Sequence, residues 1–134
     1  MDWTNHTPPS AEDIATLTNA AIEALPEPYR DAARQVTVLV EDFAADSVLH
    51  EMQIDDPFEI TGLYDGIPLT EKSVLDQPMG PDTIWLFRRP ILDEWARRSD
   101  EALGHLVAHI LVHELAHHFG WTDEQIAAID RWWE

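Results

Sequence analysis

The chain contains no cysteine. It therefore has no disulfide framework and no thiolate metal site. Basic residues are also scarce, with eight Lys and Arg against 26 Asp and Glu and a formal net charge of −18. Binding to a phosphate backbone needs clustered cations, so nucleic acid is not an expected partner. No apolar run is long enough to span a bilayer, and no membrane partner is expected. The opening residues, MDWTNHTPPS, lack the basic and apolar regions of an export signal. The expectation is a soluble cytoplasmic protein whose Asp and Glu side chains solvate the surface and keep it monomeric. A length of 134 residues suits one core. Residues 1–9 read as a flexible tail and residues 10–134 as a single domain.

Against these absences stands one dense motif, HELAHHFGWTD at residues 113–123. Two histidines four apart, with a glutamate directly after the first, form the zinc-hydrolase signature. At ~100° and ~1.5 Å per residue, His113 and His117 lie ~40° apart around a helix and ~6 Å apart along it. Both imidazoles can meet one ion at about 2.0–2.1 Å. Glu114 lies beside them and points past the metal, where a base must stand to take a proton from water. A zinc site needs a third protein ligand and one open position. Asp123 reaches the metal only if the helix stops first, and Gly120 is placed to stop it in a left-handed turn. The rivals for third ligand are His118, Glu124 and Asp130. Thr122 and Gln125 also read as the capping box of a final helix, with Asp123 in its first turn.

The rest of the chain punctuates clearly. Ser10 reads as the cap of a helix carrying Ile14, Leu17, Ala21, Ile22 and Leu25 and ended by Pro26 and Pro28. Residues 35–40 alternate as a strand, with Val36, Val38 and Val40 on one face. Residues 46–51 suggest a short helix capped by Asp46. Residues 58–64 read as a second strand closed by the Asp65-Gly66 turn, residues 67–80 as loop, and residues 83–87 as a third strand ended by Pro90. Residues 91–98 lead into a helix capped by Ser99 and running to His118, and residues 123–133 form a last helix. The long helix carries a histidine ladder, His105, His109, His113 and His117, of which only the last pair shares an ion comfortably. His109 reads as a buried, hydrogen-bonded histidine and His105 as a rim residue. Trp121, Trp132 and Trp133 read as packing that pins the last helix.

Three segments, GLYDGIPLTE at 62–71, PDTIWLFRRPI at 81–91 and the 113–123 motif, together resemble the small bacterial zincin-like metallopeptidases with minimal domains. The resemblance runs from about Ile14 to the C-terminus. It implies an α+β fold, a small twisted sheet packed on an active-site helix. It places the zinc ligands on His113, His117 and Asp123 and the general base on Glu114. The methionine-containing turn of larger relatives is absent, since no methionine follows Asp123.

The expected function is zinc-dependent hydrolysis of peptide bonds, with one zinc ion per chain and a peptide or protein substrate. Glu114 would accept the proton of the attacking water, and the oxyanion would be met by Tyr64, Arg88 or Arg89. A substrate strand is expected to pair with an exposed sheet edge, with residues 83–87 as candidate. The alternative is a zinc-binding regulatory or interaction module with little catalysis.

Overall fold

A computed structural model describes residues 8–65, 83–98 and 101–130. The first helix, α1 (Ala11–Ala24), begins where Ser10 Oγ accepts the Asp13 N–H at 3.0 Å and Asp13 accepts the Ser10 N–H at 2.8 Å. This reciprocal cap satisfies two donors that a helix start otherwise leaves open. Pro26 follows the Leu25 cap, and the expected end is borne out. A five-residue helix, α2 (Tyr29–Ala33), then appears that the sequence reading did not anticipate.

Among the described residues three strands follow, β1 (Thr37–Glu41), β2 (Gly62–Asp65) and β3 (Thr83–Phe87), in the sheet order β1-β3-β2. β1 runs parallel to β3, and β2 runs antiparallel to it. The register aligns Val38, Ile84 and Tyr64 in one row and Leu39, Trp85 and Leu63 in the next. Alternation puts the first row on the inner face of the sheet and the second on the outer face. β3 is therefore the central strand, and the expectation that it offers an edge is corrected. The expected strand over residues 58–64 is also shorter than foreseen. Pro57–Glu59 forms a 3₁₀ turn, because Asp56 takes the Phe58 N–H at 3.0 Å and draws the chain into a bend. The Asp65-Gly66 turn and the 67–80 loop fall outside the described residues.

α3 (Asp46–Glu51) lies where expected, but its cap is Ala45 and Asp46 is already helical. α4 (Arg88–Arg97) starts directly after β3. Pro90 does not end the strand. It sits in the first turn of α4, where a missing N–H costs little. The long helix α5 (Leu103–Phe119) is capped by Ala102; the expected cap, Ser99, is outside the described residues. α6 is Asp123–Asp130. Thr122 and Gln125 form the foreseen box, with Gln125 N–H to Thr122 Oγ1 at 3.2 Å and Thr122 N–H to Gln125 Oε1 at 2.8 Å. The result is a small α+β domain.

The inner sheet face meets α1 and α5 in the main core. Ile14, Ile84, Leu86, Leu106, Leu111 and Leu115 are among its fully buried members. Each such side chain contributes roughly 1.5–3 kcal/mol on burial. A smaller cluster of Ala44, Leu49, Ile60 and Phe87 lies on the outer face. Among the described residues no helix is long and apolar enough to cross a membrane.

Candidate metal centre

The last two turns of α5 carry the motif. Leu111, Val112, Leu115 and Ala116 face the core and leave His113 and His117 exposed, the latter with 67% of its side chain open to solvent. Four residues apart on one unbroken helix, the two rings share an exposed strip. The helix stops at Gly120, whose φ of 65° is left-handed, and the Gly120 and Trp121 N–H groups both donate to Ala116 O, at 2.8 and 3.2 Å. A residue with a Cβ is strained there, so glycine sets the point at which the chain turns toward α6.

Glu114 is held quite differently from its neighbours. Its side chain is 13% exposed, lying between α5 and β2. The strand approaches closely because Gly62 has no side chain. A Cβ built on Gly62 would lie 3.0 Å from Ile110 Cγ2 and 3.3 Å from Glu114 Cγ. Two residues on, the Tyr64 main-chain N–H donates to the Glu114 carboxylate. His117 Nδ1 is 3.5 Å from Glu114 Oε1. Burial raises the carboxyl pKa above its ordinary value, and it outweighs the opposing pull of His117 and the Tyr64 N–H. The helix thus displays a shielded carboxyl of raised basicity beside two solvent-facing imidazoles.

The remaining candidates separate. His118 is buried, edge-on to Tyr64 at 5.2 Å and to Phe119 at 4.3 Å between centroids, so it packs into the core. His109 lies edge-on to His113 at 4.5 Å, and His105 is exposed. Arg88 Nε donates to Pro9 O at 2.6 Å, and Arg88 pairs with Asp42 at 3.2 Å. Arg89 stacks 5.8 Å over Phe43. Both guanidiniums make these contacts around the start of α4. Trp121 stacks on Phe119 and meets Tyr29 of α2 edge-on, as packing; Trp132 and Trp133 lie outside the described residues. Asp123 opens α6, and its side chain and that of Asp130 also lie outside them. Glu124 is exposed in the same first turn. Among the described residues, no three His, Asp or Glu side chains gather into a cage.

Two imidazoles one turn apart, with a carboxylate-bearing turn beyond a left-handed glycine, form a donor set that fits a borderline ion such as zinc. Gly62 and the Tyr64 amide belong to the setting of Glu114 and are not among the residues expected from the sequence. A glycine inside a strand was the available signal, since it often marks close approach of another element. A family model described as zincin-like metallopeptidase matches residues 33–133. No curated protein matches the chain.

Proposed function

The chain belongs to the zincin-like metallopeptidase family, and from that premise we propose that it hydrolyses peptide bonds, with one zinc ion held by His113, His117 and Asp123 and with Glu114 as general base. The observation that carries this reading is the setting of Glu114. A structural zinc site has no use for a buried carboxyl beside its ligands, and such sites usually close with four protein ligands. Zinc, when bound, supplies Lewis acidity that polarises a carbonyl and acidifies water.

The protein's own groups do the rest. His113 and His117 bind metal only as neutral rings, so zinc is released as acid protonates them. Glu114, aimed by the Tyr64 N–H, accepts the proton lost by the attacking water and returns it to the leaving nitrogen. Among the described residues β2 is the last strand on the Glu114 side of the sheet. An extended peptide laid along it would gain main-chain hydrogen bonds and sit beside the base.

The test is a metal assay by mass spectrometry, followed by cleavage of a mixed peptide library with and without chelator. About one zinc per chain, with chelator-sensitive cleavage, supports the reading. Zinc without cleavage turns it into a binding module, and no metal after reconstitution removes both. A second check is on positioning. Gly62→Ala places a methyl against Ile110 and Glu114. We expect destabilisation of about 1 kcal/mol and a kcat lower by roughly tenfold. Zinc content should not change, because neither imidazole is touched. An unchanged kcat would show that β2 does not aim Glu114.

A further inference from the structure

The sheet face turned away from Glu114 carries a second recess, which shares with the motif only Tyr64, a lining residue whose N–H also meets Glu114. A groove of about 600 Å³ runs between Val48 and Met52 on one side and Leu63, Trp85 and Phe87 on the other. The exposed large apolar side chains among the described residues are Leu39, at 42%, and Met52, at 45%. Both belong to this face. Met52 lines the groove, and Leu39 continues the row formed by Trp85 and Leu63. Exposed apolar surface is thus concentrated on one patch, which marks a contact surface more than chance exposure does.

Carboxylates outnumber cations around the groove, where Arg89, stacked over the lining residue Phe43, is a nearby positive charge. Glu41 and Glu51 stand at its rim, both exposed. The stretch over residues 41–59 adds Asp42, Asp46, Asp55, Asp56 and Glu59 and contains no Lys or Arg. Asp42 is paired with Arg88 from outside that stretch. An apolar trough with a negative border is complementary to a segment with apolar and cationic residues side by side.

We infer that this groove docks a protein segment in which a large apolar residue is flanked by Lys or Arg. The apolar residue inserts between Met52 and Trp85, a flexible thioether facing a rigid aromatic wall. The flanking cations meet Glu41 and Glu51 at the border. Alternation along β2 sends Leu63 to this face and Gly62 to the Glu114 face, so docking needs neither metal nor base.

The test uses the full chain carrying Glu114→Gln, so that peptides bind without being cut. A phage-displayed library of random dodecapeptides is panned against it, with an unrelated acidic protein as control. The expected enrichment pairs Phe, Leu, Ile or Trp with nearby Lys or Arg. The strongest peptide, synthesised with a fluorophore, is then titrated by anisotropy. Met52→Asp should weaken binding by about tenfold, and Glu51→Lys by roughly threefold or more at low salt. Met52 is largely exposed, so the circular dichroism and melting of its variant should match the parent. Enrichment without basic residues, no enrichment over the control, or full affinity in Met52→Asp would each overturn the inference. So would loss of binding in Gly62→Ala with Met52→Asp unaffected, because the peptide would then sit on the other face. The assay reads binding alone, so a failure of catalysis leaves the result intact.

Discussion

Glu114→Gln is expected to leave zinc bound and to lower peptide cleavage by about 10²–10⁴-fold, the range carried by a positioned proton acceptor. Glutamine matches glutamate in size, so the contacts with Gly62 and Ile110 survive. Its amide cannot take a proton from water at any working pH. The two imidazoles are untouched, so metal content should stay near one per chain while the rate collapses. Preserved cleavage with zinc bound would remove Glu114 from the chemistry.

The same substitution also reports on the electrostatics of burial. Burial raises the Glu114 pKa in the folded protein, whereas the unfolded chain leaves the group near its ordinary value. The folded state thus favours the protonated carboxyl. That contribution to stability is fully present below the unfolded pKa and is lost as pH rises through the raised folded value. Above that raised value the ionised Glu114 costs stability, and there the metal-free Gln variant should melt no lower than the metal-free parent. In acid, with Glu114 protonated, the difference should vanish. Paired melting curves across the acid-to-neutral range check the sign.

The sequence was most informative where local chemistry decides the structure. The Ser10 cap, the Thr122–Gln125 box and the Gly120 stop each depend on contacts within a few residues, and each is found where read. Residues 57–59 misled because FEITGLY alternates like a strand, while Asp56 and Pro57 bend the backbone first. The placing of β3 at an edge had a readable warning. TIWLF is apolar at nearly every position, the mark of a strand covered on both faces, and Ile84 and Leu86 indeed face one layer while Trp85 and Phe87 join the other. The link between Gly62 and Glu114 was not readable. It joins residues 52 positions apart, and only the packing of β2 on α5 brings them together.

The third ligand allows a cleaner separation than its position suggests. Asp123 and Glu124 are consecutive residues in the first turn of α6, whose start is set by the Thr122–Gln125 box. Both carboxylates gain about 0.3–1 kcal/mol from the helix dipole, so Ala at either position should destabilise the metal-free protein by a similar small amount. Consecutive positions on a helix lie ~100° apart, so only one of the two can face the ion. Asp123→Ala should therefore weaken zinc binding by more than about 100-fold, beyond the range of an outer-shell partner, while Glu124→Ala leaves affinity within about threefold through its small dipole effect. Competition with a chelating dye measures both. Equal melting temperatures with unequal zinc affinities assign the ligand to Asp123. The larger loss in Glu124→Ala would move it one residue along, and parity in affinity would leave the ion to His113, His117 and a donor from elsewhere in the chain.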